Sequence, residues 1–185
     1  MRIIAGIARG MPLVAPRGGN VRPTSDRVRE AIFSSLGDRV VGATVLDLFA
    51  GTGALGLEAA SRGANSVVFV ESAHSALKIL RQNIETFRRG RKISCEIAVV
   101  RADVFAQVTK FVAAQKKFSL IFADPPYGET AQTLLNVSDL RRALDDEGLF
   151  VLESAKRDSL TAVPPWTLVR EAVYGDTRVS FLAPK

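Results

Sequence analysis

The sequence predicts an α/β fold. It reads as a Rossmann-like, mostly parallel central sheet with helices on both faces, a C-terminal antiparallel hairpin, and a small N-terminal hairpin and helix in front. Three observations predict it. Short apolar runs of strand length alternate with segments of helical periodicity along most of the chain. One of these junctions, VLDLFAGTGALGLE from Val45 to Glu58, is an apolar run, a glycine turn and a helix start in immediate succession. The last two β-rich runs are joined through Gly175 and Asp176, a turn short enough only for a hairpin.

Taken in order, Arg2 to Ala5 and Pro12 to Ala15 read as two short strands around Gly6–Gly10. Pro16 to Pro23, PRGGNVRP, reads as a basic loop. Thr24 or Ser25 can cap a helix running to about Leu36, with Val28, Ala31, Ile32 and Ser35 on one face. The central strand leads through Gly51, Thr52 and Gly53 into a helix that reaches Arg62. Ser66 to Glu71 is a second strand, and Ala73 to about Phe87 a helix whose apolar side carries Leu77, Leu80 and Ile84. Glu96 to Arg101 is a third strand, Val104 to Ala114 a helix, and Phe118 to Ala123 a fourth strand ending in Asp124-Pro125-Pro126-Tyr127. A helical or broken-helical segment covers Glu129 to Leu144, and Leu149 to Glu153 is a fifth strand. Leu168 to Tyr174 and Arg178 to Leu182 form the closing hairpin. A basic extension over 1–37 and a catalytic domain over 38–185 are the expected divisions.

Composition narrows the function classes. A chain of 185 residues, 47% hydrophobic and 24% charged, has the make-up of an ordinary globular protein large enough to need no metal or disulfide for stability. Its single cysteine, Cys95, has no nearby His or Cys and reads as a core or sheet-edge thiol, which fits a reducing cytoplasm. No apolar run reaches the ~18 residues of a membrane span. The net charge is +6, and residues 1–29 hold six arginines against one acid, Asp26. Arginine among glycine and proline points to a polyanionic partner, nucleic acid first. Arg9, Arg17, Arg22 and Arg27 are the candidate contacts. The second cluster, Arg88, Arg89, Arg91 and Lys92, reads as a solvated helix end where cations suit the macrodipole.

Gly51, Gly53 and Gly56 satisfy G-x-G-x-x-G, and Glu71 lies 20 residues beyond the first glycine. That spacing places an adenosine-containing ligand on the turn, with Glu71 holding two ribose hydroxyls. Asp47 argues against a dinucleotide, since a carboxylate beside the turn opposes a pyrophosphate and welcomes a ligand carrying an ammonium and a sulfonium. Asp103, after the third strand, can accept from an adenine amino group. The ligand read from these residues is S-adenosylmethionine rather than NAD. Asp47, Phe49, Ala50, Gly51, Thr52, Gly53, Glu71, Asp103 and Val104 are its candidate contacts, although Phe49 and Phe122 also read as core residues.

Asp124-Pro125-Pro126-Tyr127 suits an exocyclic amino group of a base. Such a nitrogen is a poor nucleophile because its lone pair is delocalised into the ring. The Asp124 carboxylate and the Pro125 carbonyl can accept its two N–H bonds and localise that pair. The prolines pre-set the turn, and Tyr127 offers a stacking face worth ~1–3 kcal/mol. No metal and no covalent enzyme intermediate are required. His74, the lone histidine, reads as a surface residue.

These stretches resemble the class I S-adenosylmethionine-dependent methyltransferases, and within them the RsmD type, the bacterial 16S ribosomal RNA guanine-N2 methyltransferases. The resemblance rests on RIIAGIARG, VRPTSDRVREAIFSSL, LDLFAGTGALGLEAASRGA, the strand ending FVE, and ADPPY, and it covers essentially the whole chain. It implies that Asp47, Gly51 and Gly53 line the methionine end of the cofactor, that Glu71 binds ribose, and that Asp103 or Val104 contacts adenine. It further implies that Asp124 to Tyr127 hold guanine and that the basic loop from Arg17 to Arg27 grips RNA. The implied partner is 16S rRNA or the small ribosomal subunit, met by a cytoplasmic monomer with no metal. The residues leave three alternatives open: an adenine-N6 methyltransferase, an NAD-dependent oxidoreductase, and a non-catalytic RNA-binding assembly factor.

Overall fold

The computed structural model describes residues 1–15, 25–89, 93–126, 128–158, 160–161 and 164–185. The PRGGNVRP loop with Arg17 and Arg22, the pair Arg91 and Lys92, and Tyr127 lie outside the described residues.

The N-terminal segment follows a hairpin path. Ile3 N donates to Met11 O at 2.9 Å and Gly10 N to Ile3 O at 2.9 Å. Arg2 and Pro12 form a single antiparallel bridge, and a 3-10 turn over Gly6–Ala8 occupies the bend. Helix α1, Asp26–Leu36, is capped by Ser25, whose hydroxyl accepts from Val28 N at 3.2 Å. Its buried face is Val28, Arg29, Ile32, Phe33 and Leu36, so a charged residue takes a place where the apolar spacing predicted Ala31 and Ser35.

Seven strands form one sheet: β1 Thr44–Leu48, β2 Ser66–Glu71, β3 Glu96–Arg101, β4 Phe118–Ala123, β5 Leu144–Ala155, β6 Trp166–Tyr174 and β7 Thr177–Pro184. Their order is β3-β2-β1-β4-β5-β7-β6. The first five are parallel, β7 runs antiparallel to β5, and β6 runs antiparallel to β7. The closing hairpin thus adds two antiparallel pairings and makes the sheet mixed. Strand β5 begins five residues earlier than the sequence predicted, pairing Phe118 with Leu144 and then shifting register before Leu120.

The helices divide between the faces. Helix α1 joins α2, Ala54–Ser61, and α3, His74–Arg88, over one face. There Val45, Phe69, Phe122 and Val151 from the strands meet Phe33, Leu57, Leu80 and Phe87. Ile3, Ala8, Met11 and Leu13 of the N-terminal segment belong to this same cluster. Helices α4, Val104–Ala113, α5, Thr130–Asn136, and α6, Ser138–Ala143, cover the other face. There Leu46, Leu48, Ile121, Phe150 and Leu152 are buried with Val108, Leu134 and Leu140. The segment after the Asp-Pro-Pro turn, read from the sequence as helical or broken-helical, is two helices that meet at Val137. None of the described helices is long and apolar enough to cross a membrane.

Candidate active site

The strand ends create a notch. Leu48 pairs with Val70 and with Ala123, and Ala123 pairs with Leu152. Strands β1 and β4 stop at that level, whereas β2 runs on to Glu71 and β5 to Ala155. The opening above β1 and β4 is therefore walled by β2 and β5, three inter-strand spacings apart, about 14 Å. Such an opening at the carboxyl ends of parallel strands, where connections diverge, is where ligands bind in open α/β sheets.

Asp47 forms the floor. It pairs with Phe69 and Phe122, one step below the strand ends, and is only 2% exposed. One carboxylate oxygen accepts from Gly56 N at 2.9 Å. Burial pushes its carboxyl up from the ordinary 3.8 to about 8, against the lowering effect of that hydrogen bond. The negative charges of Asp124 and Glu71 push in the same direction as burial. Those three acids thus share one electrostatic neighbourhood.

The glycine turn is pinned from several sides. Chain direction reverses at Phe49, a non-glycine residue at φ 54°, and passes Gly51 at φ 54° and Gly53 at φ 79°. Positive φ in a residue such as Phe is an uncommon, strained conformation of the kind that gathers at functional sites. The Phe49 side chain packs half-buried against the second cluster, while Ala50 and Thr52 are buried. Gly53 N donates to Ala50 O at 2.7 Å. A Cβ at Gly53 would run into Leu80, and one at Gly56 into the Phe69 ring. These glycines therefore let α2 and α3 close directly on the sheet.

Glu71 locks the opposite wall. One of its oxygens accepts from Gly51 N at 2.9 Å, and the other from Ser72 N and Ala73 N, both at 2.8 Å. Three backbone amides hold the carboxylate before any ligand arrives, and the oxygen that takes Gly51 N keeps a further lone pair for a hydroxyl. Asp103 caps α4, accepting from Ala106 N at 3.0 Å, and Val104 is buried beneath it. Asp124 is half-buried at the end of β4, Pro125 is buried and Pro126 exposed. His74 is exposed at the start of α3.

The candidate RNA contacts separate. Arg9 is exposed on the turn whose Ala8 N donates to Ser61 Oγ at 3.0 Å, at the far end of α2 from the glycine turn. Arg27 is exposed beside a groove of about 260 Å³ lined by Ser25, Val28, Val173, Tyr174 and Gly175.

Two buried polar residues support the site without any prediction from the sequence. Glu58 of α2 accepts from Ile4 N at 2.7 Å, Ala5 N at 3.0 Å and Arg62 Nε at 2.7 Å, with Arg29 Nε at 3.8 Å. Asn83 of α3 accepts from Val14 N at 2.8 Å and donates to Val14 O at 3.1 Å and to Thr52 O at 2.9 Å. The available signal was a polar residue among apolar neighbours: Glu58 among small residues in α2, Asn83 between Leu80 and Ile84.

This pocket fits S-adenosylmethionine. A buried acid whose ionised form a bound cation would restore is suited to a ligand ammonium, and a pre-oriented carboxylate 20 residues past the first turn glycine is suited to a ribose diol.

Comparison with known proteins agrees. The family model described as Conserved hypothetical protein 95 matches residues 1–183. Ribosomal RNA small subunit methyltransferase D of Escherichia coli K12 is 36% identical over 179 residues, covering 95% of this chain and 85% of that one. The protein of the same name from Haemophilus influenzae is 34% identical over 176 residues, covering 95% and 89%. The solved structure of the Escherichia coli protein yhhF superposes with a TM-score of 0.79 at 35% identity, covering 100% and 98%. The chain belongs to the Conserved hypothetical protein 95 family, class I S-adenosylmethionine-dependent methyltransferases of the RsmD type.

Proposed function

We propose that this protein methylates the exocyclic N2 amino group of a guanine in 16S ribosomal RNA of the small subunit. The observation that carries the reading is the register of β1 with β4: Leu48 pairs with Ala123, so the Asp-Pro-Pro turn begins beside the strand end that holds Asp47, close enough for the Asp124 charge to act on it. The names of the relatives from Escherichia coli and Haemophilus influenzae support small-subunit rRNA as the substrate.

S-adenosylmethionine supplies an activated methyl group on its sulfonium. Around it, Asp47 takes the ammonium, the backbone of Phe49 to Gly53 borders the methionine end, Glu71 holds the ribose, and Asp103 with the Val104 backbone meets the adenine. Asp124 and the Pro125 carbonyl accept the two N–H bonds of the guanine amine, and Tyr127 stacks on its ring. The amine nitrogen forms the new N–C bond as the S–C bond breaks, and it then sheds one proton through Asp124 to solvent. Asp124 need not be a strong base, because the nitrogen becomes acidic as the methyl arrives. Residues 1–37 act as a basic RNA-binding extension to the catalytic domain over 38–185, with Arg9, Arg17, Arg22 and Arg27 meeting phosphates. Selectivity comes from the shape of a folded RNA, whose target base must leave its stack. The protein works as a cytoplasmic monomer without a metal.

The test is transfer of labelled methyl to ribosomal RNA from a strain lacking the enzyme, followed by nucleoside analysis. N2-methylguanosine is the expected product. Asp124→Ala should abolish transfer while leaving S-adenosylmethionine binding by calorimetry intact. Undiminished transfer in that variant, or N6-methyladenosine as the product, overturns the reading.

A further inference from the structure

The rim of the notch carries an opening that the chemistry above leaves unused. Strand β5, the wall beyond the Asp-Pro-Pro turn, ends at Ala155, which pairs with Thr177 of β7. Thr177 in turn pairs with Tyr174 of β6. Tyr174 thus stands three strand spacings, about 14 Å, from the line of β4. Between Tyr174 and the start of α1 runs the groove of about 260 Å³, with Arg27 and Val28 on the helix side and Val173 and Tyr174 on the strand side. Val173 is 45% exposed, and Tyr174 is half-buried, packed against the first core cluster. The turn after β5 is fastened to the hairpin. Lys156 N donates to Asp176 O at 2.7 Å, and the Arg178 guanidinium donates to Asp158 O at 2.6 Å and to Lys156 O at 3.1 Å. Lys156, Arg157 and Arg27 are exposed. Of the nearby acids, Asp26 is paired with Arg29 at 2.8 Å and Asp158 accepts from Ala155 N at 3.2 Å, while Asp176 lies in the hairpin turn itself.

We infer that this groove is a subsite for one unpaired nucleotide of the substrate RNA, on the same strand as the target base and a few nucleotides from it. The base stacks on Tyr174 beside Val173, and the flanking phosphates meet Arg27, Lys156 and Arg157. This rests on the rRNA reading above. The groove falls just under the roughly 300–1,000 Å³ of drug-sized ligand sites, so it suits a single base and excludes a duplex. An aromatic face with cations tracking the backbone is the make-up of a single-strand site. An apolar peptide would use the valines but gain nothing from the three cations. The position fits as well. The target base must leave its stack to reach Asp124, which costs stacking energy. A second base held on Tyr174, to the side of the notch, keeps the strand out of its helix and offsets part of that cost. The subsite therefore favours loop or bulge RNA over duplex, and does so without touching a reacting atom.

The test measures binding and methylation of ribosomal RNA from a strain lacking the enzyme, at several salt concentrations. Tyr174→Leu keeps bulk but removes the ring, and should raise KM for the RNA about 5- to 100-fold, the scale of one base–aromatic stack, with the change in KM rather than kcat. Tyr174→Phe keeps the ring and should stay within about twofold of wild type. Lys156→Ala and Arg157→Ala should each flatten the slope of log binding constant against log salt by about 0.7, one phosphate contact on a single strand. Calorimetry with S-adenosylmethionine should show cofactor affinity unchanged in all four variants. A KM unmoved by Tyr174→Leu overturns the inference, as do salt slopes unchanged in both cation variants. It also falls if Tyr174→Leu weakens cofactor binding as much as RNA binding, since the residue then acts only through packing. A wild-type protein that neither binds nor methylates the RNA refutes instead the rRNA reading on which the inference rests.

Discussion

The buried floor acid gives the sharpest prediction. Asp47 is protonated up to about pH 8 in the folded protein, whereas in the unfolded chain it titrates near 3.8. Between those values the native state holds one proton more than the unfolded state. Stability contributed by this group is therefore full at low pH and is lost as pH rises from about 4 to about 8. Each pH unit in that window is worth up to about 1.4 kcal/mol. Asp47→Asn removes the titration while keeping an acceptor for Gly56 N. The stability of the variant minus that of the wild type should then grow by roughly 2–3 kcal/mol between pH 6 and pH 8. Denaturant unfolding of both proteins at four or five pH values measures it. Cofactor binding gives the complementary signal. A ligand ammonium stabilises the ionised carboxylate, so binding at pH 7 should release close to one proton in the wild type and none from this site in Asp47→Asn, read by calorimetry in buffers of different ionisation enthalpy. A stability difference that stays flat from pH 6 to pH 8, with no proton released, would refute the argument.

Other consequences follow from the same packing. Arg29→Met strips the partner from a buried charge system around Glu58 and should cost about 3–5 kcal/mol of unfolding free energy. Gly56→Ala drives a methyl into the Phe69 ring and should cost about 1–3 kcal/mol, with weaker cofactor binding as α2 lifts from the sheet. Asn83→Leu leaves Val14 and Thr52 without their side-chain partner and should lower stability by about 2 kcal/mol or more, with cofactor affinity falling as the turn loosens. Burial pushes the Cys95 thiol up to about 11, so at pH 8 iodoacetamide should modify the native protein ~100-fold more slowly than the unfolded chain.

Most of the fold was legible because its signals are local. Ser66–Glu71, Glu96–Arg101 and Phe118–Ala123 fall where their apolar runs lie, and Ser25 caps the helix it precedes. The early start of β5 was hidden, since Asp145, Asp146 and Glu147 look like a turn; only pairing with β4 draws them into a strand. At the candidate site, Asp47 could be picked out because it breaks an apolar run just before the glycine turn, and Glu71 because it ends a run 20 residues past the first turn glycine. The notch above them depends on β1 and β4 stopping short, a fact of register that no single run contains.

The residues least visible in the sequence are those that join distant segments. Glu58 and Ser61 on one helix and Asn83 on another answer the backbone groups of residues 4 to 14, which have few strand partners of their own. A buried amide or carbonyl left unpaired costs about 1–3 kcal/mol, so these side chains decide whether the N-terminal segment is docked at all. Docking has a chemical consequence. Asn83 spends one amide proton on Val14 and the other on Thr52, between the two left-handed glycines. Val14, close to the end of the described N-terminal segment, and the glycine turn at Thr52 are thereby held by a single side chain. Asn83 thus ties Val14 to Thr52 through contacts of 2.8 to 3.1 Å.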